Sequence, residues 1–366
     1  MTFRFHQVAL PHTPANPAFS ADAYQQKVRG FAKMMISLGH EVITYASEGS
    51  EVEGELVTIL SRDEQRELYG DYDHRKDFFR IEWDRTSKHW TVPNERVIEA
   101  IRERVNPQDF ICLIGGNCQQ PIAEAFPNHL VVEHGVGYSG IFSRFRVFES
   151  YAWMHHVYGM TGIKDGHFYD AVIPPFLDPN EFTVREGPGE YHLYLGRLID
   201  RKGWRIAVEA TERAGEKLYM AGQVGDGLPD LPDHVVHVGY VDPAGRRELF
   251  AGAKALWMPT QYIEPGGNVH IEAMASGVPV IATDWGIATE TIVPYQNGFR
   301  CRTLAEFVAA TKAVEDLGPG QIRAMSERFW HENVAVLYER YFRQLDGLWR
   351  EGWYQDTDDV DLGRYL

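Results

Sequence analysis

A chain of 366 residues that is 44% apolar and 13% aromatic has material for two ordinary domains, each with its own core. Its formal net charge of −16 excludes a broad nucleic-acid face, which needs Lys and Arg in excess. Three cysteines, Cys112, Cys118 and Cys301, are too few and too scattered for a disulfide framework or a zinc site. Before residue 175 there are 17 basic against 23 acidic residues, and after it 19 against 29, so the first half is the less acidic. Its basic groups, Arg75, Lys76, Arg80, Arg85 and Lys88, then Arg144 and Arg146, read as solvated mixed-charge faces. There is no apolar run of about eighteen residues and no basic-then-apolar leader, and the expectation is a soluble, cytoplasmic chain without a transmembrane segment.

In chain order, short apolar runs alternate with amphipathic stretches of helical length, the pattern of βαβ units and parallel sheet. The first half has candidate strands at 5–10, 41–45, 110–114 and 130–133, with helices such as 24–38 and 95–104 between them. The Pro-rich stretch 171–182 and the turn-forming REGPGE after it mark an interdomain passage, giving an N-terminal domain over 1–173 and a C-terminal domain over 174–339. Beyond it, strands are expected at 192–195, 218–221, 235–238, 255–258 and 278–282. A last helix over about 322–349 carries Phe329, Trp330, Tyr338, Tyr341, Phe342 and Trp349, enough aromatic area to pack on more than one surface. Its end and the tail, about 340–366, are expected to lie back on the first domain.

The stretch EPGGNVHIEAMASGVPVIATDWG, 264–286, reads as loop, helix, turn and strand. Asn268 is placed to cap a helix starting at Val269, and Gly277 sits where that helix stops. Gly266 and Gly267 leave a side-chain-poor loop at the helix N-terminus, where free N–H groups and the macrodipole attract a phosphate. Glu264 precedes the loop, and Glu272, in the first turn, can accept from a ribose diol. In YHLYLGRLIDRKGW, 191–204, a strand ends at Gly196 and Arg197 and a loop carries Lys202 towards the next helix. Ligands of open parallel sheets bind beyond the carboxyl ends of the strands, so both cations aim at a diphosphate. MAGQVGDG, 220–227, lacks the spacing of a dinucleotide loop and reads as a turn at Gly222 lining the same crevice.

Glu264 and Glu272 with seven residues between them, followed by AMASGVPVIATDWG, resemble the donor segment of retaining GT-B glycosyltransferases of the GT4 kind (glycosyl transferases group 1). The resemblance implies two Rossmann-like domains facing across a cleft and a C-terminal helix crossing back to the first. It implies that Glu272 holds a ribose, that Glu264, Gly266, Gly267 and Asn268 hold the donor sugar and phosphates, and that Arg197 and Lys202 neutralise the leaving diphosphate. At Gly266 the family often has Phe. The segment 237–260 is similar to the family's base-binding strand and turn, implying base contacts near Tyr240 and Val241. His134, ending the strand of LVVEHGVGY, matches a His that the family sets beside the donor sugar. After the first strand the family carries a Gly-rich loop; here Pro11, His12, Thr13 and Pro14 replace it, making His12 and Thr13, with Tyr138, the acceptor-side candidates.

The implied reaction moves a sugar from a UDP- or GDP-sugar to an acceptor hydroxyl with retained configuration and without a metal or other cofactor. The acceptor can be a glycan, lipid or metabolite, and a nucleic acid enters only as acceptor, through a hydroxylated DNA base. The metal-binding look of Asp71-Tyr72-Asp73 is read as a solvated acidic turn. A nucleotide-sugar epimerase of the same shape and a non-catalytic nucleotide-sugar-binding protein are the alternatives.

Overall fold

The computed structural model describes residues 2–352 except 72, 79, 80, 225, 226, 228 and 229. Tyr72 of the acidic turn, Arg80 of the basic group, Gly225 and Asp226 of the 220–227 turn and the tail 353–366 therefore lie outside the described residues.

Two parallel sheets organise the chain. The first holds β1 (Arg4–Val8), β2 (Glu41–Ser47), β3 (Glu55–Leu60), β4 (Phe110–Leu113), β5 (Leu130–Val136), β6 (Phe145–Phe148) and β7 (Asp170–Val172) in the order β3-β2-β1-β4-β5-β6-β7. The second holds β8 (Tyr191–Leu195), β9 (Leu218–Ala221), β10 (Val235–Gly239), β11 (Ala253–Met258), β12 (Val280–Thr283) and β13 (Gly298–Cys301) in the order β10-β9-β8-β11-β12-β13. In each sheet the order reverses beside the first strand, opening a crevice at the carboxyl ends there. The central strands β1, β4, β5, β8, β11 and β12 are the apolar runs legible in the sequence, because helices cover both faces of a parallel sheet. β3, β6, β7 and β13 were not expected. In β6 and β7 polar residues break the apolar run: Arg146 and Asp170 pair across the two strands through two contacts of 2.7 Å, and Arg146 is thereby buried rather than part of a solvated basic face.

The last aromatic stretch is not one helix from 322 to 349. It is Pro319–Ser326, a short 3-10 turn Glu327–Phe329, and a long helix His331–Glu351. The break falls where Leu177, in the passage between the sheets, exchanges backbone bonds with the chain: Leu177 N–H donates to Phe329 O at 3.0 Å and His331 N–H donates to Leu177 O at 3.0 Å. Those bonds satisfy the Phe329 carbonyl and the His331 N–H, which the extended Trp330 (φ −72°, ψ 145°) between them takes out of helical pairing. Past the break, Val334, Tyr338, Phe342 and Leu345 enter the core of the first sheet. Phe342 is fully buried, with ring centroids 4.6 Å from Phe5 and 4.9 Å from Phe110, and Tyr338 Oη donates to His134 O at 2.7 Å. Among the described residues no helix is long and apolar enough to cross a membrane.

Three buried histidines, His134, His192 and His270, and the half-buried His331 are each pulled down to about 4, in every case chiefly by desolvation. Unfolded, they take protons near 6.5, so the unfolded chain binds more protons than the folded one as the pH falls. The melting temperature should hold above pH 6.5 and fall steadily from there towards pH 5; a flat profile across that interval in scanning calorimetry would show that these side chains do not stay neutral. Separately, Phe342→Ala should cost roughly 3–5 kcal/mol in denaturant unfolding, the range for an aromatic removed from a packed core, and a cost under about 1 kcal/mol would show that the long helix does not belong to the first core.

Candidate active site

A cavity of about 940 Å³ opens between the sheets, with its walls drawn from both. Gly196 and Arg197 follow β8, and Gly222 follows β9. These strand ends press so closely that a Cβ on Gly222 would fall 2.0 Å from Gly196 O, which keeps the crevice floor free of side chains. Lys202 arrives from the loop after β8, and Tyr240 and Val241 from the turn after β10. Glu264, Gly267, Asn268 and Glu272 come from the loop and helix after β11. All of these donor-side expectations line one cavity.

Two details of the helix differ from the expectation. It spans Asn268–Ala275, its cap is Gly267 at φ +63°, and no side chain bonds its N-terminus, so Asn268 is not the cap but a cavity-lining residue of the first turn. The left-handed turn that Gly267 takes easily is what reverses the chain there. Because the helix starts one residue earlier than expected, Glu272 reaches the cavity from the second turn. The N-terminal turn of a helix leaves N–H groups without intrahelical partners, and here that end faces the same cavity as Arg197 and Lys202.

The carboxylates are individually compensated. Burial opposes ionisation of Glu264, but Lys202 Nζ at 2.8 Å and the Tyr262 hydroxyl hold its pKa below the usual range. Burial raises Glu272, against the pull of Arg246, whose guanidinium sits 2.7 Å from Oε2. Arg197 is lowered by burial and stacks over Phe78, 3.9 Å from the ring centroid. Tyr262, Arg246 and Arg201, which lies 4.3 Å over the Tyr262 ring, belong to the site and were missed. Arg246 was legible in principle, since GRRELF follows the strand expected to hold a base.

The first domain's candidates fall elsewhere. His134 is 2% exposed and its ring packs on Phe31 with centroids 4.7 Å apart, and Nδ1 bonds Leu113 O at 3.0 Å. It sits within the sheet's core instead of on the cavity wall, because β5 continues past it to Val136. His12 and Thr13 are also buried and off the cavity: Thr13 Oγ1 donates to Asp22 at 2.7 Å, His12 Nε2 lies 3.2 Å from Asp22, and Gln25 ties down Leu10 O. These bonds hold 10–13 as a rigid turn. Tyr138 gives its hydroxyl to Glu133 at 3.0 Å, which also accepts from the Phe142 and Ser143 amides. Gly266 is not on the wall either; the Glu149 carboxylate covers it. Among the residues the first domain does present are Tyr24, Lys27, Arg29, Lys33, Gly137 and Glu149. Asp71 and Asp73 are engaged by Arg66 and Lys76, and among the described residues no group of three His, Cys, Asp or Glu converges on a metal position.

The two halves touch directly around the cavity. Tyr240 Oη donates to Ala18 O at 2.8 Å, Gln223 reaches His74 O and Asp77 O, Ser150 Oγ donates to Pro265 O at 2.7 Å, and Glu290 accepts from the Tyr151 and Ala152 amides.

Comparison with known proteins agrees with this layout. Residues 181–318 match the family model of glycosyl transferases group 1. A glycogen synthase of Mycobacterium tuberculosis is 34% identical over 185 residues, 46% of this chain and 43% of that protein, so the match spans less than half of the relative's length. A phosphatidyl-myo-inositol mannosyltransferase of Mycobacterium leprae is 32% identical over 107 residues, 26% of this chain and 29% of the relative. Solved structures are alike nearly end to end: AviGT4, a glycosyltransferase involved in avilamycin A biosynthesis, at TM-score 0.67 and 21% identity, covering 94% of this chain and 98% of that one. Anabaena HepE in complex with UDP and glucose follows at TM-score 0.65 and 14% identity, covering 93% and 100%. The architecture is thus the two-domain GT-B fold, and residues 181–318 of its second half match the model of the glycosyl transferases group 1 family.

Proposed function

We propose that the chain is a glycosyltransferase that moves a sugar from a nucleotide diphosphate donor, a UDP- or GDP-sugar, to an acceptor hydroxyl, with retention of configuration. The observation that carries this reading is the convergence, on one cavity, of a helix N-terminus, Arg197 and Lys202 with two compensated carboxylates at either side. A diphosphate is the ligand that uses all of the cationic elements at once, since backbone amides and two cations give it several charge-assisted bonds. Glu272, fixed by Arg246, has oxygens for a pair of vicinal hydroxyls such as a ribose offers, with Tyr240 and Val241 beyond it for a base. The transferred sugar then points the other way, towards Glu264.

In this reading the chemistry is electrostatic. As the glycosidic bond lengthens, charge gathers on the leaving diphosphate, where Arg197, Lys202 and the amides at Asn268 are already oriented to receive it. No metal is needed for that task, and the leaving phosphate can take the acceptor's proton on its own face. The relatives support this reading, a synthase of glycogen and a phosphatidyl-myo-inositol mannosyltransferase by name, and HepE by its bound UDP and glucose.

A thermal-shift panel of UDP, GDP, ADP and their sugars should give a raised melting temperature with one nucleotide series, since a ligand selective for the folded state stabilises it. Glu272→Gln should shrink that shift, and Lys202→Met should lower kcat/KM for donor turnover by about 10²-fold, the scale of losing one transition-state donor. A shift with NAD and none with any nucleotide or its sugars would contradict the proposal.

A further inference from the structure

The Lys27 and Glu149 pair on the acceptor-domain wall takes no part in the donor chemistry above, yet the chain makes room for it. Lys27 lies on the helix Ala23–Ser37, Glu149 follows β6, and their charged groups are in direct contact. Both line the cavity although Lys27 is only 7% and Glu149 only 6% exposed. Two glycines border the carboxylate. A Cβ on Gly266 would fall 2.0 Å from Glu149 Oε2, and one on Gly137 would lie 3.0 Å from Oε1 and 3.0 Å from the Tyr24 hydroxyl. The bond from Ser150 Oγ to Pro265 O fixes the neighbouring residue against the same loop.

Taking two charges out of water is costly, and an apolar pair would fill the same volume at least as stably. A cavity wall that keeps them presents hydrogen-bonding capacity: Lys27 has three donors and Glu149 has lone pairs beyond those its partner uses. A second phosphate would be repelled by Glu149, and an apolar group would strip the pair of solvent. A neutral polyol satisfies both, because each hydroxyl can donate to a carboxylate and accept from an ammonium. The Glu264–Lys202 pair from the other domain offers the same combination in the same cavity.

We propose that Glu149, oriented by Lys27, is a specificity-determining residue that reads a hydroxyl of the transferred sugar, so that the sugar is held between two lysine–carboxylate pairs, one from each domain. This rests on the donor-site reading above. A site built to bond a hydroxyl rejects the analogue that lacks it far more strongly than a site that merely accommodates it.

The test uses UDP-glucose, ADP-glucose and GDP-mannose, then single-deoxy analogues of whichever is turned over, with nucleoside diphosphate release as the readout and nucleoside diphosphate affinity measured in parallel. The wild type should reject one deoxy analogue by about 10²-fold or more. Glu149→Gln should keep the nucleoside diphosphate affinity while losing that discrimination, and Lys27→Met should lose it too. Wild-type discrimination in a Glu149→Gln variant that melts normally and binds the nucleotide normally would overturn the proposal and leave the donor site standing. A wild type that binds no nucleoside diphosphate would take both down.

Discussion

The long helix His331–Glu351 follows the second sheet in the chain but packs with the first, and the cavity depends on that crossing. Val334, Tyr338, Phe342 and Leu345 pack with Phe5, Phe31 and Phe110, whereas Phe329, two residues before the helix, is buried in the second core. Two α/β layers joined by one passage around Leu177 would be free to swing. With the chain returning beside that passage, two strands of backbone connect the layers and are bonded to each other at Leu177 and Trp330. The carboxyl ends of β8 and β9 are then held opposite the first domain, and small contacts such as Tyr240 to Ala18 and Ser150 to Pro265 can act across the cavity.

Within that frame, local charge balance matters more than net charge. A chain of net charge −16 still gathers cations around the cavity, several of them each set beside a carboxylate that neutralises it locally. Lys202 meets Glu264, Arg246 meets Glu272, and Lys27 meets Glu149. Such pairs hold long side chains in place before a ligand arrives, and preorganised dipoles and charges of this kind need little rearrangement when charge develops. The helix N-terminus at Gly267 adds a fixed partial charge that no side chain has to supply.

The second domain's share of the cavity wall was readable from sequence because it lies in contiguous stretches of chain. Arg197 and Lys202 lie within one loop, and Glu264 through Glu272 form one loop and helix, so local order along the chain already implied proximity in space. The first domain's contribution was not readable, because it is assembled at long range. Lys27 and Glu149 are 122 residues apart in number and meet only after β1, β4, β5 and β6 have stacked. Each looks like an ordinary surface charge in sequence. His134 misled for the opposite reason: a His near a strand end suggests a cleft, but β5 runs two residues further and carries it into the core. Gly266 is bare where the Glu149 carboxylate comes close, and a side chain there would collide with it.

The central claim is that a nucleoside diphosphate sits at the N-terminus of the helix Asn268–Ala275 with its phosphates between Arg197 and Lys202. A crystal structure of the chain soaked with the tightest-binding nucleoside diphosphate tests it directly. The account predicts phosphate oxygens within hydrogen-bonding distance of the Gly267 and Asn268 amides and of both cations, with the ribose hydroxyls on Glu272. A nucleotide bound with its phosphates away from that helix end, or a ribose that does not approach Glu272, would contradict it.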